Sequence, residues 1–300
     1  SLFQGWHEPC AFSNHLTRIR THPDVLTPEW LLYCLRDLWL TGYFAVNCKE
    51  FVGQSAFNTD KLKELEIPVP PLPDQKRLVA RIEVQTRRVE SIRAAQQELG
   101  SDMRGVLAGY YTEIVVDAEW RPLSDVAPQV RRPVIVQAGQ SYPELGIRSF
   151  GKGTFHKPAI SAEQVGKKRL YHIYPGDLIF NNVFAWEGAV AVVKPVDAGR
   201  VGSHRFITCV PHFGVATTPF LYFHFTTERG LHDLGDASPG GAGRNRTLGL
   251  ERLAGIRVPV PSHDKQAVFA RLWDKVDTTR RLQAELTADL NAYVPSILAK

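Results

Sequence analysis

The sequence lacks every short motif that carries chemistry by itself. It has no G-x-S-x-G nucleophile elbow, no H-E-x-x-H zinc helix, no G-x-x-x-x-G-K-[ST] phosphate loop and no G-x-G-x-x-G opening a helix. Asn181-Asn182 lacks the following Pro-Pro-Tyr of an amino-methyltransferase, and Gln85 stands where a nuclease built on Pro73-Asp74 and Glu83 needs a lysine. The four cysteines (Cys10, Cys34, Cys48 and Cys209) form no C-x-x-C pair and have no histidine at zinc spacing, so they read as reduced thiols of a cytoplasmic protein. No apolar run approaches the roughly 18 residues of a membrane span. No signal-peptide pattern follows Ser1. His172, His224 and His232 are expected in the core or on the surface rather than as ligands. These absences argue against an enzyme, a metalloprotein, a disulfide scaffold and a membrane protein, and leave recognition or assembly. The net charge of +5 leans toward an anionic partner.

What is present is a long repeat. Thr27-Pro28 returns as Thr218-Pro219, Leu62 as Leu253, Pro68-Val69-Pro70 as Pro259-Val260-Pro261 and Gln75 as Gln266, each displaced by the same 191 positions. A period this long describes two copies of one module rather than a solenoid. The second copy starts near Trp120, which puts the start of the first before residue 1. About 70 residues of the first module are therefore expected to be missing, if the copies match throughout.

Each copy runs into a Pro-rich segment and then a long helix. Thr27 is a suitable N-cap with Pro28 in the first helical position, and Trp30, Leu31, Tyr33, Cys34 and Leu38 supply an apolar face. A strand-like tail is expected within 11–20, and Thr59 or Asp60 is expected to cap a short helix. Residues 67–73 hold too many prolines for a helix or a central strand. From Asp74 to about Tyr110, Leu78, Ile82, Gln85, Val89, Ile92, Gln96, Leu99, Met103, Val106 and Tyr110 step alternately by four and three, a heptad seam. Such a helix would be about 55 Å long at 1.5 Å per residue. From Asp264 onward the seam is Leu272, Val276, Thr279, Gln283, Leu286, Leu290, Tyr293 and Ile297. The two helices should pack together, with Gln85, Gln96, Thr279 and Gln283 fixing register.

Between the helices the chain reads as β-rich. Pro175-Gly176-Asp177 is a turn feeding the strand Leu178-Ile179-Phe180, and 188–193 and 206–210 are buried strands. Thr218 is expected to cap the helix 219–227. Residues 238–246 read as a flexible, basic, glycine-rich loop. Its glycines allow close backbone approach, and Arg244, Asn245 and Arg246 supply donors for phosphate, guanine or adenine; a merely solvated loop is the alternative. Lys167-Lys168-Arg169 reads as a solvated hairpin tip. Lys152, Lys157, Asn181 and Arg205 are further candidate DNA contacts, and Trp186 is read as core, with a groove-facing placement as the alternative.

The segment Leu65-Glu66-Ile67-Pro68-Val69-Pro70-Pro71-Leu72-Pro73-Asp74-Gln75-Lys76-Arg77-Leu78-Val79 resembles the entry to the conserved helix of type I restriction-modification specificity (S) subunits, and 256–266 is a weaker copy. The stretch 176–181 with Gly188-Ala189-Val190 is similar to a strand pair of that family's target-recognition domain. The resemblance implies an α+β fold: β-rich target-recognition domains joined by long antiparallel coiled-coil helices, as a pseudo-twofold repeat. Residues 1–71 would be the C-terminal part of the first target-recognition domain and 72–113 the first spacer helix. The second domain would be 114–261 and the second helix 262–300. The helix seam would use Leu78, Ile82, Val89, Ile92, Leu99, Val276, Leu286 and Leu290. The implied function is non-catalytic: reading a bipartite site in double-stranded DNA while holding methyltransferase (M) subunits and, through them, restriction/translocase (R) subunits. No cofactor is expected in this chain; AdoMet, ATP and Mg would belong to the partners. Two other readings stay open, the specificity part of a fused methyltransferase and a coiled-coil scaffold that binds no DNA.

Overall fold

The computed structural model describes residues 1–5, 11–13, 15–51, 54–166, 168–240 and 246–298. It is an α+β protein whose chain divides into two compact units, Ser1–Ser101 with Thr279–Lys300 and Asp102–Thr278.

In the first unit, α1 (Pro28–Leu40) and α2 (Tyr43–Asn47) precede a hairpin of β1 (Lys49–Phe51) and β2 (Gln54–Ala56), then α3 (Thr59–Lys63) and the start of α4 (Leu72–Val115). Thr27 caps α1, its hydroxyl accepting from the Trp30 amide at 3.2 Å. The cap of α3 is Asn58, one residue before the expected Thr59, because its side-chain carbonyl reaches the Asp60 amide at 3.0 Å. The described part of 11–20 forms no strand; the alternation there has no partner strand to pair with. The prolines run extended until Pro71, whose carbonyl accepts from the Asp74 and Gln75 amides and launches α4.

Gln75, fully buried, fastens this unit. Its amide donates to the carbonyls of Val25 (2.8 Å) and Pro70 (2.7 Å), and its carbonyl accepts from the Thr27 amide (2.9 Å). One side chain thus ties the start of α1 to the start of α4. The equally buried Gln266 makes the same three bonds in the second unit, to Val215 (2.9 Å), Pro261 (2.9 Å) and Thr217 (3.0 Å). The repeat is therefore not free of insertions. Prolines and glutamines keep the spacing of 191, but the helix cap falls at Thr217, not Thr218, so the second copy has one residue more between cap and Pro segment. Thr217 makes no side-chain cap bond, and Thr218 donates its hydroxyl to Gly176 O instead at 2.6 Å.

Within the first unit α4 pairs with α10 (His263–Leu298). Tyr293 meets Gln85, Asn291 meets Arg93, and Gln283 exchanges amide–carbonyl bonds with Gln96 at 3.1 and 3.4 Å. Partner numbers fall as α4 advances, so the pair is antiparallel. Ile82, Val89 and Leu290 are buried and Leu78 is half-buried, while the expected seam residues Ile92, Leu99 and Leu286 are 39%, 46% and 42% exposed. Gln85 and Gln96, seam positions on either side of Ile92, still meet Tyr293 and Gln283, so the pair covers one edge of the seam and leaves these three partly open. Farther along α4 the 3.6-residue turn carries a 3.5-residue count off the buried face by about 20° per heptad. In the second unit the buried positions of α4 are accordingly Leu107, Tyr111 and Ile114, with Val106 exposed. Val89→Asp or Val276→Asp should cost several kcal/mol by burying an unpaired charge, whereas Leu99→Asp should stay within about 0.5 kcal/mol. Urea titration of the three variants checks the assignment, and equal midpoints would refute it.

The second unit begins after α4 with β3 (Glu119–Pro122), which pairs antiparallel with β12 (Arg257–Val260). Two four-stranded sheets follow. One is ordered β6 (Thr154–Ser161), β5 (Ser141–Ile147), β10 (Val201–Ser203), β7 (Leu170–His172). The other is β4 (Gln129–Val130), β11 (Phe206–Cys209), β8 (Leu178–Asn181), β9 (Val190–Val192). Helices α5 (Leu123–Val126), α6 (Ala162–Val165), α7 (Thr218–Thr226), α8 (Glu228–Asp236) and α9 (Leu250–Gly255) complete it. Alternation along β8 explains its unbroken apolar run. Leu178 and Phe180 pack with Phe220, Leu221 and Phe225 of α7, while Ile179 on the opposite face packs with Leu145, Ala191 and Phe206. Buried Asp177 holds the 175–177 turn, receiving both Arg132 guanidinium nitrogens (2.6 and 3.2 Å) and the Tyr174 amide (2.8 Å).

Candidate nucleic-acid interface

Three connections of the second unit converge at the β8–β9 turn, residues 182–189. Asn181 starts it, its side-chain carbonyl accepting from the Val183 amide at 3.1 Å. The Asn182 amide donates to Arg205 O (2.8 Å), from the short link between β10 and β11, and its carbonyl accepts from Leu248 (2.7 Å), beyond the glycine-rich loop. The side-chain oxygen of Asn182 is buried without a partner. Trp186, half-buried, donates its indole N–H to Val183 O at 3.0 Å and receives the Arg246 guanidinium over its ring at 5.4 Å. Trp186 is thus neither fully core nor free: one face supports an arginine.

The third connection is the tip of the β5–β6 hairpin, 148–153. The Phe150 amide donates to Glu187 O (2.8 Å) and the Gly151 amide to Gly188 O (3.0 Å). Ser149 donates to the Glu187 carboxylate at 2.9 Å, and Tyr222 of α7 donates to Gly151 O at 2.7 Å. Gly188 suits this turn because its φ of 74° lies in the left-handed region that strains a residue with a Cβ. Behind the tip, buried Asp197 accepts from the Thr154 hydroxyl (2.9 Å) and the Lys194 amide (3.0 Å), and its other oxygen lies 2.9 Å from His156 Nε2. The tip is clamped from both sides. Phe150 alone among the described non-glycine residues has a positive φ (62°). That costs a residue with a Cβ about 1–2 kcal/mol.

Four sequence candidates, Lys152, Asn181, Arg205 and Arg246, therefore lie on these connected segments. Lys157 does not: it is on the edge strand β6, where its carbonyl accepts from Arg200 at 3.3 Å. Arg244 and Asn245 fall outside the described residues, as does Lys167 of the 167–169 tip. Sequence reasoning missed Phe150, Glu187 and Tyr222. The only local signal was Gly151 and Gly153 flanking Lys152, because a backbone angle at Phe150 is not written in composition. The connected segments carry Arg148, Lys152, Arg205 and Arg246 against one carboxylate among their described residues, that of Glu187.

Residues 6–100 match the family model described as the type I restriction modification DNA specificity domain. Over 92% of its length the chain is 22% identical to a putative type I restriction enzyme MjaX specificity subunit of Methanocaldococcus jannaschii, covering 68% of that protein. The family model falls on the first copy of a module whose glutamine fastener the second copy repeats. Residues 6–100 thus carry a type I specificity domain, and the chain as a whole is similar to a type I specificity subunit. Two solved structures share this fold. One comes from a study of complex assembly and conformational transition of the type I R-M system (TM-score 0.59, 19% identity, covering 94% of this chain and 72% of that one). The other is a type I restriction-modification S subunit from M. genitalium (TM-score 0.53, 14% identity, covering 92% and 73%). At these identities the likeness speaks for the fold. Among the described residues no helix is long and apolar enough to cross a membrane, and no group of three or more His, Cys, Asp or Glu is placed to hold a metal.

Proposed function

We propose that this chain is the DNA-reading, non-catalytic subunit of a type I restriction-modification complex of the cytoplasm. Each module reads one half of a bipartite site, the paired long helices set the spacing, and the chain holds M subunits and, through them, R subunits. AdoMet, ATP and Mg are bound by those partners. The observation that carries this reading is the convergence of Lys152, Arg205 and the Arg246–Trp186 stack on backbone segments locked to one turn, on a chain that carries a type I specificity domain. A rigid scaffold presenting fork donors on loops suits base-edge and phosphate contacts.

Arg246→Ala in the assembled complex tests it. A base-reading arginine should cost about 1–3 kcal/mol and relax preference at one position, whereas a phosphate contact should weaken all duplexes alike and lower the salt slope by about one unit. Arg244 and Arg246 are expected to divide between these behaviours. Unchanged affinity and salt slope in the double alanine variant would remove the loop from the interface. Methyl transfer by the pure, isolated chain would overturn the non-catalytic reading.

A further inference from the structure

We propose that Phe150 is an apolar wedge that inserts at a base step of duplex DNA, a role that rests on the DNA-reading function above. The argument starts from a mismatch between residue and place. Phe150 sits in the left-handed region that glycine occupies freely, between Ser149 and Gly151, yet the residue is 72% exposed. The ring neither eases the turn nor fills the core. The backbone that carries it is nevertheless fixed, because the amides of Phe150 and Gly151 are bonded to Glu187 and Gly188 and the Gly151 carbonyl is held by Tyr222. A large apolar group carried into solvent on a clamped tip is shaped for a partner.

The surroundings identify that partner by charge. The Lys152 ammonium lies 5.7 Å from the Phe150 ring centroid, and Arg148 of the same tip is exposed with its guanidinium over Phe155. The turn that clamps the tip also carries Trp186 with Arg246 on it. An aromatic with cations at its base matches a stacked base step between phosphates: the ring replaces base-on-base contact while Lys152 meets the backbone. Apolar side chains that enter the stack partly unstack it and kink the duplex, most cheaply at pyrimidine–purine steps. Phe150 would thereby give the half-site a preference for a flexible step without touching a base edge.

The test uses the complex assembled with its methyltransferase subunit. A duplex is first selected from a randomised pool with the parent complex, then 2-aminopurine is placed at successive positions along it. The parent should raise emission at one step, and that step should be pyrimidine–purine. Phe150→Gly, which relieves the backbone and keeps the tip folded, should abolish the signal and weaken binding roughly 5- to 100-fold, with an unchanged salt slope. Phe150→Trp should keep the signal, and Lys152→Ala should lower the salt slope while leaving the emission in place. Equal emission and affinity for Phe150→Gly and parent would overturn the wedge and leave the DNA-reading role standing. Loss of methyltransferase association in Phe150→Gly, with emission unchanged, would also overturn it by assigning the ring to a protein interface. Failure of the parent to enrich any duplex would overturn the DNA reading itself, and the wedge with it.

Discussion

Gln266→Leu should lower the stability of the second unit by about 3–5 kcal/mol. The substitution strands three buried backbone groups, the Thr217 amide and the carbonyls of Val215 and Pro261, each worth about 1–3 kcal/mol when left unpaired, with partial relaxation offsetting the sum. Gln266→Glu is the informative companion. A carboxylate still accepts from Thr217 but has no N–H for the two carbonyls, and its charge would be fully buried, so it should be at least as damaging above its titration and milder when protonated. Hydrogen exchange at the start of α7 and α10 would report the damage locally. Stability close to that of the parent in both variants would show that the three bonds do not fasten the unit.

The sequence disclosed the elements of this unit better than their joints. The repeat, the Pro-rich entry and both long helices follow from spacing and composition, and β8, β9 and β11 follow from apolar runs at Leu178, Val190 and Phe206. The joints depend on single side chains finding distant backbone, which no local pattern encodes. Gln75 was visible as a repeated letter, but not as a residue bonded to Val25 and Thr27, some fifty positions away. Ile92, Leu99 and Leu286 fall on the seam in a heptad count, but which edge of the seam a single partner helix covers is not written in the spacing. The candidate interface was half legible: charge marked Lys152, Arg205 and Arg246, while the clamped Phe150 needed a dihedral angle to be noticed.

Acid should weaken the second unit through His224. This side chain is buried in α7 against Tyr111, whose hydroxyl lies 2.7 Å from Nδ1, with Trp120 edge-on and Nε2 unpartnered. Burial disfavours the imidazolium and lowers its pKa from 6.5 to about 4; Asp233 pulls it up and Arg229 pushes it down, each more weakly. The unfolded chain therefore takes up a proton at a pH where the folded chain does not. The stabilising contribution of neutral His224 is complete above pH 6.5 and is lost as pH falls from 6.5 through about 4. At about 1.4 kcal/mol per unit, the loss is about 3 kcal/mol. Burial also drives the Tyr111 hydroxyl upward, so it stays protonated across this range. His224→Asn keeps a polar atom for Tyr111 and should be less stable at pH 7 but flatter with pH. Denaturant melts between pH 7 and 4 measure the difference in slope, and parallel profiles would exclude His224 as the acid-sensitive group.

The location of the Gln266 fastener separates what holds the module from what faces a ligand. All of its atoms come from Val215, Thr217, Pro261 and Gln266. The tip at 148–153, the turn at 182–189 and the link at Arg205 contribute none, since they end before Val215 in the chain. A new pattern of side chains can be written onto those three segments while the same glutamine keeps α7 docked to α10. The one-residue slip between Thr27 and Thr217 shows how far this tolerance extends, since the bond survives even a change in chain length beside it. Grafts that exchange side chains within those three segments and leave the fastener whole should therefore inherit a folded frame together with a new preference.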